Sequence, residues 1–202
     1  MINKIYIAWN DLDTIPEIKS SFKEFLQFFI SNVKEFFDVL TGDSNSVYIA
    51  FILDSVEDDN FKVFTYYRDP ISYRSRSYID NKKKEYLTSN FTPFKTIVDP
   101  TNTNDIYICD DCKNENGYID RIDDWNRYYN ACLTVPIRMP LSNVSENNKF
   151  VYFGFITVDN KKGGYKNLQA VEALNSFADN LFNAFSFYND LITYYNECNL
   201  KN

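Results

Sequence analysis

Apolar residues near the start of the chain recur at steps of three and four. Ile15, Ile18, Phe22, Phe25, Phe29, Val33, Phe36 and Leu40 form one stripe, the mark of a helix with one buried face. The spacing predicts a helix over residues 14–41. Thr14 stands where a cap is needed, Pro16 and Glu17 fall in the first turn, and Gly42 suits the stop. A second helical pattern covers residues 167–196. Val171, Leu174, Ala178, Leu181, Phe185, Tyr188, Ile192 and Tyr195 make one stripe; Phe177, Ala184, Phe187 and Leu191 make another. One stripe can cover a sheet, and the other calls for the N-terminal helix or a second subunit.

Between the helices the period changes. "SVYIAFILDS" (46–55) is apolar on both alternating faces, as in a central strand. "FKVFTYYR" (61–68) predicts a second strand. After the turn at Asp69-Pro70, "ISYRSRSYI" (71–79) alternates and predicts a third. Residues 80–105 are mixed, with a short helix near 83–90. "DIYIC" (105–109) is a short strand, and residues 110–130 are polar and aromatic without a clear period. "ACLTVPIRM" (131–139) and "KFVYFGFITVD" (149–159) predict an antiparallel hairpin joined by the polar turn "SNVSENN". This order describes one α+β domain over 1–202, with an antiparallel sheet and pocket segment (46–159) flanked by long N- and C-terminal helices.

Composition narrows the functions open to such a domain. The 202 residues carry a net charge of −7, and the basic run "NKKK" (81–84) reads as a solvated loop. An acidic chain without a basic stripe argues against nucleic acid. No apolar run approaches the ~20 residues needed to span a bilayer, and no secretory signal is evident. The expected compartment is the cytoplasm, where the four cysteines stay reduced. The chain has no histidine. That removes Ser-His-Asp and Cys-His nucleophile pairs and histidine-ligated metals.

The second half of the chain resembles a GAF domain. The matching features are Val135-Pro136-Ile137 ending a strand, Gly154-Phe155-Ile156 in the next, Asp159-Asn160 at its end, and Phe177-Ala178-Asp179 in the last helix. "SVYIAFILD" and "IYICDD" look like upstream strands of the same family, and the similarity spans roughly residues 20–195. A PAS-like or profilin-like domain would share much of this order. The resemblance implies a ligand-binding or signalling module, dimerising through its terminal helices, with a pocket between one sheet face and residues 80–130. Cyclic-nucleotide-binding members carry Asn-Lys-Phe after the last strand, then Phe-x-x-x-Asp-Glu. Here Asn160-Lys161 is followed by Lys162, Tyr165 stands for the second Phe, and Gln169 replaces the Asp, so the match is partial. Bilin-attachment cysteines and the glycine-rich cysteine loops of GAF-type methionine sulfoxide reductases are both missing.

Candidate ligand-binding residues are Arg74, Arg76, Asp110, Asp111, Tyr118, Trp125, Tyr128 and Tyr129. Arg74 and Arg76 would share one face of the third strand and could hold a carboxylate or phosphate. The aromatics suit a pocket wall or a covered sheet edge. Asp110/Asp111 and Asp123/Asp124 are adjacent on extended chain and point apart, so neither pair is a ready acid-base dyad. Cys109 and Cys112 form a lone Cys-x-x-Cys. A structural zinc needs four ligands, and only Cys132 and the terminal Cys198 remain. The expectation is one buried strand cysteine and one loop cysteine, with thiol pKa values raised by the two aspartates, and no metal or cofactor. "CKNENGYIDRID" (112–123) half-matches a calcium loop but offers Cys112 where a carboxylate is required. The leading expectation is a non-enzymatic sensory module that binds a small molecule and forms a homodimer or binds a partner protein. The alternatives are a ligand-free interaction scaffold and a thiol enzyme using Cys109 and Cys112.

Overall fold

The computed structural model describes residues 16–57, 60–82, 85–102, 104–140 and 150–199. The elements run in the order α1 (Pro16–Thr41), β1 (Ser46–Glu57), β2 (Asn60–Arg68), α2 (Pro70–Lys82), β3 (Glu85–Leu87), α3 (Thr92–Val98), β4 (Tyr107–Cys109), β5 (Ala131–Pro140), β6 (Phe150–Asn160) and α4 (Leu168–Asn199). The strands form one six-stranded antiparallel sheet in the order β3-β2-β1-β6-β5-β4. The expected α+β architecture is therefore present, with the long helices drawn from the two ends of the chain. The expected cap at Thr14 and the turn between β5 and β6 lie outside the described residues. Among the described residues no helix is long and apolar enough to cross a membrane.

Both faces of the sheet are covered, which explains the unbroken apolar runs of its central strands. Val47, Ile49 and Phe51 of β1, Leu133, Val135 and Ile137 of β5, and Ile156 and Val158 of β6 face α1 and α4. The two helices pack on that face as an antiparallel pair. Phe22 meets Phe185, and Phe29 and Phe36 both meet the ring of Phe177, so Phe177 of the second stripe is satisfied within the chain. Tyr48, Ala50, Cys132 and Phe155 point the other way, toward α3 and the irregular segment.

Two expectations fail, for local reasons. Residues 71–79 form α2, not a third strand. Asp69 caps the helix: its Oδ1 accepts the Ser72 N–H at 2.8 Å, and Pro70 occupies the first turn. The same carboxylate accepts the Val47 N–H at 3.0 Å, so one buried aspartate closes both β1 and α2. With few apolar residues in the stretch, its alternation carries little weight against that start signal. The short helix expected near 83–90 is also misplaced. Residues 85–87 pair with β2, a single 3-10 turn follows, and the helix begins at Thr92 with Pro93 in its first turn.

A polar knot joins the ends of the elements. Asn45, 1% exposed, donates to Asp38, Thr41 and the Asp43 carbonyl, and its Oδ1 accepts from Asn160 and the Tyr165 hydroxyl. Asn160 also holds the Gly163 N–H and carbonyl. The asparagine of the partial cyclic-nucleotide motif is thus spent on the turn into α4.

Gly154 of the Gly-Phe-Ile strand sits where β6 crosses β1. A Cβ there would lie 2.2 Å from the Ala50 carbonyl oxygen and 3.1 Å from the Phe51 Cα. Backbone of a central strand cannot yield cheaply, so Gly154→Ala is expected to destabilise the fold by about 1–3 kcal/mol. Urea unfolding followed by circular dichroism checks this; an unchanged midpoint would show that β1 and β6 are not packed this closely.

Candidate functional site

The polar side chains of the second sheet face gather at one end. Tyr48 of β1, Arg68 closing β2, and Thr157 and Asp159 of β6 form the floor. Arg76 enters from α2. Asp120, Arg121, Tyr128 and Tyr129 come from the segment between β4 and β5. Together they enclose a cavity of about 20 Å³, room for one water-sized molecule. That is far below the ~300 Å³ of an ordinary small-molecule pocket.

Charge, not volume, distinguishes the site. Arg76 makes a two-pronged contact with Asp159, Nη1 to Oδ2 at 2.8 Å and Nη2 to Oδ1 at 2.7 Å. The guanidinium also donates to the Tyr128 carbonyl at 3.2 Å. Asp159 is 2% exposed, so the pair is formed away from water. Arg68 adds a second cation 4.0 Å from Asp159, donates to Ser46 Oγ at 2.8 Å and lies over the Tyr48 ring. Arg121 stacks 4.5 Å above the Tyr86 ring. Asp120 accepts from the Tyr129 hydroxyl and from the Ile122 N–H. Burial pushes the Asp120 carboxyl above the usual carboxylate range, with Tyr129 opposing the shift. Burial likewise raises the Tyr48, Tyr118 and Tyr129 phenols, so they stay neutral donors at ordinary pH.

The eight candidate residues separate into three groups. Arg76, Tyr128 and Tyr129 line the cavity. Tyr118 and Trp125 stand behind them: Tyr118 shares a hydrogen bond with Tyr129 at 2.8 Å, and the Trp125 ring packs against both. Arg74, Asp110 and Asp111 do not line it. Arg74 and Arg76 lie on a helix, where residues two apart point about 200° away from each other, so Arg74 is exposed while Arg76 is buried. Asp110 accepts the Tyr165 and Lys166 N–H groups at 2.9 and 3.3 Å and ties the end of β4 to the turn before α4. Asp111 accepts from Asn114 and Asn130, which holds its carboxyl below the usual range, Asn114 first. Sequence reasoning passed over Arg68, Arg121, Asp120 and Asp159. Arg68 ends a strand beside the Asp69-Pro70 turn, and Asp159 closes the Gly-Phe-Ile strand. Both were visible, but nothing in the sequence pairs positions so far apart.

Cys109 is the buried strand cysteine and Cys112 the loop cysteine, as expected; Cys112 and Cys132 are buried too, and all three thiols are free. Burial, followed by a hydrogen bond to Glu115, pushes the Cys109 thiol up to about 12, while the Asp111 backbone contact works the other way. The two aspartates do not raise it.

No family model matches the sequence, and no curated protein matches it significantly. Among solved structures, the chain is similar to a type II free methionine-R-sulfoxide reductase from Thermoplasma acidophilum (14% identity, TM-score 0.47, 82% of this chain and 96% of that one). It is also similar to the GAF-B domain of DevS from Mycobacterium smegmatis (11% identity, TM-score 0.44, 81% and 95%). A far-red cyanobacteriochrome photoreceptor aligns at 11% identity and TM-score 0.42, over 88% and 97%. Alignments this distant carry nothing about ligand or chemistry. The sheet order and helix placement are those of an α+β domain with one antiparallel sheet.

Removing one member of the buried pair leaves an uncompensated charge. Arg76→Met is expected to cost about 3–5 kcal/mol, whereas Arg74→Ala should stay within about 0.5 kcal/mol. Chemical denaturation of the two variants separates a helix assignment from a strand assignment. Equal losses would mean that both arginines face the same surroundings.

Proposed function

We propose that the chain is a GAF-like regulatory module whose polar cavity binds a small anion, a carboxylate or phosphate. One observation carries this reading. Three arginines (68, 76 and 121) and two aspartates (120 and 159) meet at one cavity on an otherwise apolar sheet face. Desolvating such groups costs several kcal/mol each before pairing, and a packed apolar interior would avoid that cost. The volume of about 20 Å³ requires the 118–130 segment to shift outward for anything larger than water. Such a shift would pass to α2 through the Tyr128–Arg76 contact, giving occupancy a route to the rest of the domain.

The small volume favours a second reading, a scaffold whose pocket is filled by its own side chains and which acts through protein contacts alone. Calorimetry and thermal unfolding with short monocarboxylates and inorganic phosphate separate the two. The first reading expects saturable heat of binding and a stabilisation that rises with the logarithm of anion concentration, ~2.7 kcal/mol at a hundredfold excess over Kd, with both lost in Arg121→Met. It fails if neither anion stabilises the protein more than chloride does, or if Arg121→Met responds as the wild type does.

The terminal helices are the proposed means of association. Phe28 and Val39 of α1 are 73% and 81% exposed, and their spacing of eleven puts them on one face. On α4, Phe187, Leu191 and Tyr194 are exposed in a stripe at steps of four and three. A second copy packing on this surface would cover both stripes. Sedimentation at high concentration is expected to show a dimer that Phe187→Glu dissociates; a wild-type monomer would end the proposal.

A further inference from the structure

Beside the cavity, but distinct from its arginine cluster, lies a group of sulfur and carboxylate donors that the regulatory reading does not use. The thiol sulfurs of Cys109 and Cys112 and a carboxylate oxygen of Glu115 all lie within 4.8 Å of one another. Cys132, on the neighbouring strand, stands outside that mutually close group but beside Cys112, so a side-chain rotation would bring its sulfur to a shared ion. Cys132 is the direct cross-strand partner of Cys109, and its sulfur is 3.7 Å from that of Cys112. We propose that Cys109, Cys112, Glu115 and Cys132 form a binding site for a thiophilic divalent cation of the zinc class, with three thiolates and one carboxylate as ligands.

The geometry favours this over incidental packing. Zinc–sulfur bonds of about 2.3 Å at tetrahedral angles place two ligand sulfurs roughly 3.8 Å apart, and Cys112 and Cys132 already stand at that spacing. Their positions come from rigid elements. Cys109 and Cys132 are paired strand residues, and the Cys112 N–H is held by the Asn130 carbonyl at 2.7 Å. Glu115 brings a carboxylate oxygen within 4.8 Å of the Cys109 and Cys112 sulfurs, and the Tyr107 hydroxyl donates to it. Tyr118 lies 3.8 Å from the Cys132 sulfur. Supporting hydrogen bonds of this kind orient metal ligands. Binding would release the thiol protons to solvent and leave one dication bound by three thiolates and a carboxylate. Glu115 is half-buried on the surface loop after β4, which gives the ion a short way in. Sequence spacing hid this site because Cys132 lies twenty residues from Cys112 and only strand pairing brings them together.

The test uses the full chain, reduced and free of oxygen, titrated with cobalt(II) and then zinc(II). The expected result is one equivalent of cobalt with thiolate-to-metal charge-transfer absorption, displaced by zinc. Cys112→Ser should weaken binding by more than the roughly 10–100-fold that loss of a supporting group produces, while the exposed Cys198→Ser changes nothing. In the wild-type protein, zinc should protect three thiols from alkylation and leave Cys198 reactive, a readout that does not depend on any variant folding. Glu115→Gln, on the surface loop, provides a second variant and should weaken binding while leaving the charge-transfer band in place. The proposal is overturned if no charge-transfer band appears, if Cys112→Ser keeps it at full strength, or if zinc leaves alkylation of the buried thiols unchanged.

Discussion

The contact between Arg76 and Asp159 holds the polar half of this domain in place. It joins residues 83 positions apart, a helix on one side and the last turn of the final strand on the other. A buried carboxylate on a central strand is destabilising alone. Here it is answered by a two-pronged guanidinium, with Arg68 4.0 Å away. The same guanidinium reaches the Tyr128 carbonyl, so the wall segment is fastened to α2 and not merely laid over the sheet. Lys161 strengthens this by donating to the Asn126 and Arg127 carbonyls.

The two faces of the sheet divide the work. The face toward α1 and α4 is mostly apolar and packed with aromatic rings; its burial supplies the hydrophobic stabilisation. The opposite face keeps Tyr48, Thr157, Asp159 and Cys132 among apolar neighbours. Polar groups there are tolerated because they meet partners, as buried polar groups must: Thr157 meets Thr134, Asp159 meets Arg76 and Arg68, and Cys132 lies against Cys112 and Tyr118. The segment between β4 and β5 has little regular structure of its own. It is held to the rest of the domain by contacts such as the two hydrogen bonds between Ile119 and Thr92 and the Asn130 N–H to the Asn160 carbonyl.

Residues 106–112 show how neighbouring side chains come to different ends. Strand alternation sends Cys109 into the polar face. Asp110 turns to the start of α4, where Gly163 passes so close that a Cβ there would lie 3.0 Å from the Asp110 Cβ. Asp111 stays with Asn114 and Asn130 at the surface, and Cys112 returns to the interior. The two aspartates close the fold locally, and the cysteines face one another.

Much of the fold was legible in the sequence because its signals are local. The stripes of α1 and α4, the doubly apolar β1, the β5 and β6 strands and the GAF-like features around Val135-Pro136-Ile137 and Gly154 all depend on residues within a few turns or strand lengths. The strand predicted over 71–79 failed where a cap at Asp69 outweighed a weak alternation. The candidate site was half legible: the aromatic segment and Arg76 were singled out, but Arg74, Asp110 and Asp111 lie elsewhere. Arg76 meeting Asp159, Arg121 stacking on Tyr86, and Cys132 closing on Cys112 are decided only by tertiary structure. Periodicity reports which face of an element a residue occupies, whereas partners across 20 to 83 positions are set by sheet pairing and by the path of a segment that has no period.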